Sequence, residues 1–381
     1  MKILISGGHL TPALAFIDYV QEKQPSDELV FAGRLYSQDR VKQTAQEKSE
    51  VEQRGIKFIP FKAVRFSRRQ PLTQLLLLPL RFMAAIFQGK QLLQRERPDI
   101  FLSFGGYLAV PLAIAAKLSG IPVVTHEQTS TAGFATRLIA KLANAVAISF
   151  PQSAANLPAQ KVVVTGNPLR AQIFHHPPQL PDWMKQRPQL PVLLITGGNQ
   201  GSFIINQLIK EVLPEITAKW TVIHLCGNPT SQLNYRQELE SARQKLPSAQ
   251  QSNYYVKEWI SGDELAWVYS QTQAAVSRGG ANTVAELSSL NIPAIYIPLP
   301  HAHHDEQTKN VQPLVEQNAS LMLPQSDLTP ANFLQQLTEL DKKLSVFKKN
   351  LTNINHANHA SRLLYQVLTQ VTSHAQVSQT A

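Results

Sequence analysis

Three short glycine turns stand where an apolar run gives way to a helix-like pattern, a place where a backbone can bind phosphate. The turns cover residues 6–9 (Ser-Gly-Gly-His), 196–202 (Thr-Gly-Gly-Asn-Gln-Gly-Ser) and 277–283 (Ser-Arg-Gly-Gly-Ala-Asn-Thr). Glycine allows a ligand to approach the backbone, and a helix N-terminus offers free N–H groups and a positive dipole end. None of the turns is a Walker loop or a dinucleotide motif. Together they favour diphosphate binding, although glycine at any one turn also serves strand-to-helix packing.

Ionisable side chains lie beside two of these turns. His9 follows the first turn directly, where an imidazole could remove a proton from a hydroxyl near neutral pH. Glu286 lies early in the helix after the third turn, where a carboxylate could accept hydrogen bonds from a ribose diol. The alternatives are a hydrogen-bonded structural histidine and a carboxylate that stabilises the helix dipole. The run 126–128 (His-Glu-Gln) ends another predicted strand and adds a second polar cluster.

A histidine-rich run at residues 301–306 (His-Ala-His-His-Asp-Glu) raises the possibility of a metal site. The run lies in a loop after a proline and lacks the helical histidine spacing of metal-binding motifs. We therefore expect neither a metal ion nor another cofactor.

Strand and helix patterns alternate through both halves of the chain. In the first half the first predicted strand is 2–6 and the last is 162–164. In the second half the first is 192–196 and the last is 294–297, and a proline-rich stretch lies between the two halves. Such alternation indicates parallel sheets covered on both faces. The predicted fold class is therefore α/β, with two doubly wound parallel-sheet domains that bind ligands beyond the carboxyl ends of their strands.

The composition fits two soluble domains. The chain has 381 residues, 43% of them hydrophobic, and a single cysteine, Cys226, which excludes an internal disulfide and suits a reducing compartment. The longest uncharged run, residues 100–116, contains Gly105-Gly106 and Pro111. A strand, a turn and a helix explain this run better than a membrane span, so we predict no transmembrane helix.

The positive charge is concentrated in one segment. The formal net charge is +10, and residues 53–95 carry nine Lys and Arg residues without an Asp or Glu. Within this segment Leu75, Leu78, Phe82 and Ile86 follow helical spacing, interrupted by a proline. Apolar and basic residues together suit an anionic lipid surface, but periodicity alone favours a core helix with a basic flank. Because the charge is local and aromatic residues do not interleave with it, we expect no nucleic-acid binding.

Read together, the motifs of residues 1–323 resemble the MurG family, the peptidoglycan glycosyltransferases that add N-acetylglucosamine to lipid I. Seven motifs occur in the family's order: residues 6–15, 105–107, 126–133, 166–170, 197–201, 279–286 and 307–310. The first turn is shorter than the family's, and Asn199, Thr129 and Glu306 stand where the family usually has other residues.

The resemblance implies a GT-B fold, with two Rossmann-like domains facing across a cleft, and a C-terminal helix that returns to the first domain. The implied domains are 1–168, which binds acceptor and membrane, and 191–340, which binds the UDP-sugar, joined by a linker at 169–190 and followed by the returning helix at 341–371 and a tail at 372–381. It implies an inverting enzyme that transfers N-acetylglucosamine from UDP-N-acetylglucosamine to the C4 hydroxyl of the N-acetylmuramyl sugar of lipid I. The product would be lipid II. The implied partners are UDP-N-acetylglucosamine, the undecaprenyl-diphosphate-linked muramyl peptide and the anionic membrane. The implied location is peripheral, at the cytoplasmic face of the bacterial plasma membrane.

The resemblance also implies roles for particular residues. His9 would be the catalytic base, and Glu127 would orient or replace it. Glu286 would hold the ribose, and Ile260 would pack at the uracil. The other implied UDP-sugar contacts are Arg170, Asn199, Gly279, Gly280, Ala281, Asn282, Thr283, Glu306 and Gln307. The implied acceptor contacts are Gly7, Gly8, His9, Tyr107 and Thr129. The implied membrane patch is Arg68, Arg69, Leu75, Leu78, Phe82 and Ile86, now expected to be exposed.

Two alternatives remain open. One is a GT-B glycosyltransferase that uses another lipid or a small acceptor, which the short first turn keeps possible. The other is a non-catalytic membrane scaffold that binds a nucleotide sugar, although the presence of His9 and Glu127 argues against it.

Overall fold

The protein was analysed as a computed structural model, in which the chain divides into two compact units. The first unit comprises Met1–Arg170 and His359–Ala381, and the second comprises Ala171–Asn358. The structure describes residues 1–38, 41–44, 46–63, 77–175, 177–198, 201–228, 234–300, 302, 305–354 and 359–380.

The first unit is built on a parallel sheet of seven strands. In spatial order these are β5-β2-β1-β6-β7-β8-β9. The strands are β1 (Lys2–Gly7), β2 (Glu28–Gly33), β5 (Lys57–Pro60), β6 (Ile100–Phe104), β7 (Val123–Glu127), β8 (Ala145–Ile148) and β9 (Val162–Val164), and β3 (Tyr36–Gln38) pairs with β4 (Val41–Thr44) in a separate antiparallel ribbon. Strand β1 is buried on both faces, with Leu4 in one core cluster and Ile3 and Ile5 in the other. Helices therefore cover both faces of the sheet, as the apolar runs predict.

In the first part of this unit, the described residues form five helices, which alternate with the strands. They are α1 (Leu10–Lys23), α2 (Gln46–Gln53), α3 (Leu78–Glu96), α4 (Ala109–Leu118) and α5 (Phe134–Leu142). Helix α3 begins with a proline at its first turn, which suits a position where the missing N–H is not needed. It packs against α4, where Gly89 faces Ala115 and lets the two helices approach closely.

The second unit repeats this construction with six parallel strands, in the order β12-β11-β10-β13-β14-β15. They are β10 (Val192–Thr196), β11 (Thr221–Leu225), β12 (Tyr254–Lys257), β13 (Thr272–Ser277), β14 (Ala294–Tyr296) and β15 (Leu321–Met322). The helices are α6 (Phe203–Glu211), α7 (Leu213–Thr217), α8 (Tyr235–Arg243), α9 (Ser248–Gln251), α10 (Gly262–Gln271), α11 (Ala281–Ser289), α12 (Glu306–Glu316) and α13 (Pro330–Ile354). The predicted α/β fold with two doubly wound sheets is thus confirmed.

Each sheet has a switch point at which the order of its strands reverses. In the first unit, β1 lies between β2 and β6, and in the second, β10 lies between β11 and β13. Ligands of doubly wound sheets bind at the carboxyl ends of the strands at this point. All three glycine turns of the sequence follow strands at these two switch points, namely β1, β10 and β13.

The segment predicted as a linker belongs to the second unit, as does helix α13. A short 3-10 helix at Ala171–Phe174 packs against α10, and Trp183 donates a hydrogen bond to Glu264 of the same helix. The domain boundaries at 168, 190 and 340 stay a prediction.

The last helix, α14 (Ala360–Thr380), packs on the first unit. Its residues Leu364, Val367 and Leu368 are buried in the cluster that also holds Phe16 of α1. The Tyr365 hydroxyl donates to the Asp27 carboxylate over 2.8 Å. Burial, helped by Asp27, raises the pKa of Tyr365 to about 12, so this hydroxyl stays a donor.

We expect Leu364→Ala to destabilise the first unit by about 2–5 kcal/mol, since it leaves a cavity beneath α14. All four tryptophans lie in the second unit, so their fluorescence reports that unit only. In urea, the transition seen by circular dichroism should move more than the fluorescence transition. Leu118→Ala, at an exposed leucine of α4, is the control. Equal transitions for the two variants would show that α14 does not stabilise this unit.

Candidate functional site

The backbones of two loops touch at the switch point of the first unit. The N–H groups of Gly8 and His9 both donate to the carbonyl of Phe104, over 3.3 and 3.2 Å. A Cβ on Gly8 would lie 2.6 Å from Cα of Gly106, whose own φ is +81°. Glycine is therefore required at position 8 because no side chain fits between the loops. Gly7 is buried beneath them.

His9 lies at the start of α1 but does not cap it. Its backbone is extended, with φ −111° and ψ 99°, and its side chain makes no cap hydrogen bond. The half-buried imidazole lies over the second loop, where Nδ1 would be 3.6 Å from a Cβ on Gly105. The prediction that this histidine lies at the carboxyl edge of the sheet thus agrees with the structure, and its role as a base stays a prediction.

Glu127 uses both carboxylate oxygens to hold the loop after β7. Oε1 accepts from the N–H and the hydroxyl of Thr129, over 3.1 and 2.7 Å, and Oε2 accepts from the N–H of Gly133, over 3.1 Å. Gly133 is the cap residue of α5. The buried carboxylate therefore shapes the loop that carries Thr129. Its predicted part in catalysis remains a prediction.

His126 is a second histidine at this edge, and its residue type and position alone predict no distinct role for it. Its Nε2 lies 3.0 Å from the carbonyl of Gly166. Because a carbonyl can only accept, Nε2 carries the proton, and the buried Nδ1 is left without a hydrogen-bond partner. Burial lowers the pKa of His126 to about 4, and the charge of His9 contributes in the same direction. His126 is therefore neutral at physiological pH.

In the second unit, close backbone approach again shapes the loops at the switch point. A Cβ on Gly201 would collide with the carbonyl of Cys226, and a Cβ on Gly279 would lie 2.5 Å from the carbonyl of Gln307. At Gly280, which caps α11, no atom of the described residues lies within 4 Å of a Cβ. Among these residues, the space at the N-terminus of α11 is thus open to a ligand. Asn199 lies outside the described residues.

Glu286 lies near the middle of α11 and is buried. Its Oε2 accepts from the hydroxyl of Tyr269 over 2.8 Å. In the same helix Ala281 is buried, whereas Asn282 and Thr283 are half-buried. The structure therefore places the predicted ribose ligand on the helix whose N-terminus is open. Sequence reasoning missed Tyr269, because it lies on a different helix from Glu286.

The start of α12 packs against the third glycine turn. The amide of Asn310 donates to the carbonyl of Gly279 over 3.0 Å, and Oε1 of Gln307 accepts from the N–H of Leu299 over 2.9 Å. Glu306 is half-buried beside Gln307. Both predicted sugar contacts thus lie next to the turn at Gly279. The sequence pointed to the segment but not to the amide of Asn310 as its anchor.

Three other predicted contacts lie at the loops of their own units. Ile260 is buried directly before α10 in the second unit. In the first unit, Tyr107 is half-buried against the core, and Arg170 is half-buried at the last position of the unit's first segment.

The predicted membrane patch requires a correction. Leu78 is buried, and Phe82 and Ile86 pack against the core of the first unit. The exposed apolar residues of α3 are instead Leu80, Met83 and Phe87, which are 69%, 62% and 63% exposed. Helical spacing identified the inner face because both faces of α3 are apolar. Arg68, Arg69 and Leu75 lie outside the described residues.

The described part of the chain contains neither a metal-binding cluster nor a membrane-spanning helix. Among those residues, no three His, Cys, Asp or Glu side chains are grouped so that they could hold a metal ion. No helix there is long and apolar enough to span a bilayer.

Two Rossmann-like units with glycine turns at their switch points define an α/β protein of the class whose ligand sites lie at the carboxyl ends of the parallel strands. Residues 192–365 match the profile described as the glycosyltransferase family 28 C-terminal domain, and residues 6–148 match that of the N-terminal domain. The chain belongs to glycosyltransferase family 28.

Relatives match over nearly the whole chain. A protein of Shewanella frigidimarina is 33% identical over 371 residues, 95% of this chain and 92% of the relative. A protein of Pediococcus pentosaceus is 29% identical over 380 residues, 97% of this chain and 99% of the relative. Both are named UDP-N-acetylglucosamine--N-acetylmuramyl-(pentapeptide) pyrophosphoryl-undecaprenol N-acetylglucosamine transferase.

A solved structure has a fold similar to that of this chain. The crystal structure of MurG from Acinetobacter baumannii aligns with a TM-score of 0.73 at 23% identity, covering 97% of this chain and 99% of that one. The GT-B fold expected from the sequence is confirmed.

We expect His126 to titrate near pH 4 rather than near the usual 6.5. Its contribution to the free energy of unfolding is complete above about pH 6.5 and is lost as the pH falls toward 4, because the unfolded chain takes up the proton first. The measurement is an NMR titration of its Cε1 proton, assigned as the signal that His126→Gln removes. A midpoint near 6.5 would contradict the buried, neutral state.

Proposed function

We propose that this chain transfers N-acetylglucosamine from UDP-N-acetylglucosamine to the C4 hydroxyl of the N-acetylmuramyl sugar of undecaprenyl-diphosphate-linked muramyl pentapeptide. The observation that carries the proposal is the pairing, on α11, of an open N-terminus at Gly280 with the buried Glu286 carboxylate that Tyr269 fixes. The two features are six residues apart, about 9 Å along the helix. One helix thereby offers donors for a diphosphate and an acceptor for a ribose hydroxyl. The names of the relatives support the identity of the donor's nucleotide and sugar and of the acceptor.

The proposed reaction is a single displacement with inversion. His9 removes the proton from the acceptor hydroxyl. The hydroxyl oxygen forms a bond to the anomeric carbon of the donor sugar as the bond from that carbon to the UDP oxygen breaks. The negative charge that grows on UDP is met by the N–H groups of α11 and by the guanidinium of Arg170. No step requires a metal ion.

The remaining contacts are divided between the two substrates. Asn199, Ile260, Glu306 and Gln307 would complete the UDP-sugar site. Gly7, Gly8, Tyr107 and Thr129 would contact the acceptor. Glu127 fixes the position of Thr129, because its carboxylate accepts from both the N–H and the hydroxyl of that residue.

We expect His9→Ala to reduce sugar transfer by about 100-fold or more, the usual contribution of a general base, while UDP binding stays within about twofold. Transfer of labelled sugar to a lipid I analogue measures the first effect, and calorimetry with UDP measures the second. His374→Ala, at an exposed histidine of α14, is the matched control. Turnover within about tenfold of the unaltered protein would remove His9 from this role.

The chain would act at the membrane surface, since its acceptor is a lipid. We infer that Leu80, Met83 and Phe87 enter the lipid interface as a peripheral anchor on the cytoplasmic face of the bacterial plasma membrane. Their exposed side chains share one face of α3 with Lys90, which is exposed one turn further on, and Arg81 is exposed next to Leu80. Apolar residues beside cations suit anionic lipids.

Replacing all three residues by serine should weaken binding to vesicles of phosphatidylglycerol by about tenfold or more, because each side chain contributes apolar area to the interface. Co-sedimentation at several salt concentrations measures the effect. The control carries serine at Leu118, Val164 and Val346, which are also exposed but lie outside α3. Equal losses in the two triple variants would show that α3 is not the anchor.

A further inference from the structure

One side chain, Trp183, contacts both ends of the loop between β12 and α10. Its indole Nε1 donates to Oε1 of Glu264 over 2.7 Å, at the start of α10. The Nζ of Lys257, the last residue of β12, lies 5.3 Å from the centroid of the same ring. Between the end of β12 and the cap residue of α10, Ser261, lie residues 258–260, which include the buried Ile260.

The carboxylate of Glu264 joins Trp183 to the end of the loop, because it binds both Trp183 and Ser261. Its Oε2 accepts from the N–H of Ser261 over 2.7 Å, while the Ser261 hydroxyl accepts from the N–H of Glu264, so the pair forms a capping box. Burial alone would raise the pKa of Glu264, but hydrogen bonds from Ser261 and Trp183 and the charge of Lys257 outweigh it and lower that pKa. The carboxylate is therefore ionised and joins Trp183 to the residue that follows Ile260.

Trp183 comes from the segment that composition alone marks as a linker. That segment is fixed to the second unit at more than one point. Trp183 also packs against Tyr255 of β12, with the ring centroids 6.0 Å apart. Gln172 lies against Gly262 at the start of α10, where a Cβ would be 3.4 Å from its Oε1. The segment is thus a brace for the β12–α10 loop.

We propose that Trp183 is a positioning residue for the base of the bound nucleoside diphosphate. It holds loop 258–260 in the shape that receives the base, through Lys257 at one end and Glu264 at the other. The inference rests on the proposed function, which assigns Ile260 to the base. If the brace is lost, the loop must be ordered at the moment of binding, and that conformational cost weakens affinity. Once the donor is bound, the reacting groups are unchanged, so the rate at saturation is preserved.

The most informative variant is Trp183→Phe, which removes the N–H donor but keeps an aromatic ring near Lys257. We expect it to raise the Kd of UDP, and the KM for UDP-N-acetylglucosamine, by about tenfold, the usual effect of losing a hydrogen bond to a charged group. The value of kcat should stay within about twofold. Binding of inorganic pyrophosphate, which has no base, should not change.

Trp267→Phe is the matched control. Trp267 lies on α10 itself and is buried, and its indole N–H has no hydrogen-bond partner. Trp267→Phe therefore removes the same volume as Trp183→Phe, from the helix that Trp183 contacts, without breaking the bond between Trp183 and Glu264. Calorimetry with UDP and with pyrophosphate, and steady-state kinetics with the donor varied, give the required readouts.

A second pair of variants changes Glu264, the acceptor of the hydrogen bond from Trp183. Glu264→Gln keeps an acceptor for only one of the two donors, the indole N–H of Trp183 or the N–H of Ser261, so UDP binding should weaken less than in Glu264→Ala. Glu264→Ala removes both bonds and should weaken UDP binding at least as much as Trp183→Phe.

Equal Kd values for UDP in Trp183→Phe and Trp267→Phe would overturn the proposal. So would a fall in kcat without a rise in KM, or equal weakening of pyrophosphate binding. If the unaltered protein does not bind UDP, the proposed function fails, and this inference fails with it.

Discussion

Close contact between backbones at the ends of the strands shapes the loops of both units. Gly8 lies against Gly106 in the first unit, and in the second unit Gly201 lies against Cys226 and Gly279 against Gln307. A side chain at any of the three glycines would meet backbone atoms, which cannot rotate away. The loops can therefore approach each other closely, and among the described residues the space at Gly280, where α11 begins, is left open. That opening is what a diphosphate requires.

Buried polar groups then fix the side chains around these loops. The carboxylate of Glu127 accepts hydrogen bonds from Thr129 and Gly133. The hydroxyl of Tyr269 donates to Glu286, and the amide of Asn310 donates to the carbonyl of Gly279. Each group is satisfied by a partner from another turn or helix, which makes the arrangement rigid before any ligand arrives. Preorganisation of this kind reduces the cost of binding and of charge stabilisation. The site is thus largely built by residues that do not react.

Sequence reasoning located the strands, the glycine turns and the helix of Glu286, because these depend on local pattern. It could not find contacts between residues distant in the chain. Tyr269 is one helix away from Glu286, and Trp183 is separated from Glu264 by 81 residues. The face of α3 was also misjudged, since Leu78 and Leu80 are equally apolar and only packing decides which is buried. The proline-rich segment looked like a linker because composition does not reveal that Trp183 packs on the second unit.

The central claim is that these two units carry an inverting transfer to a lipid acceptor in spite of the short first glycine turn. The most direct test is transfer of radiolabelled sugar from UDP-N-acetylglucosamine to a lipid I analogue in the presence of EDTA, with the linkage of the product determined by NMR. We expect a β-linked disaccharide lipid, formed at a rate that EDTA does not change. No transfer by a protein that still binds UDP-N-acetylglucosamine would contradict it and would point to another acceptor or to a scaffold.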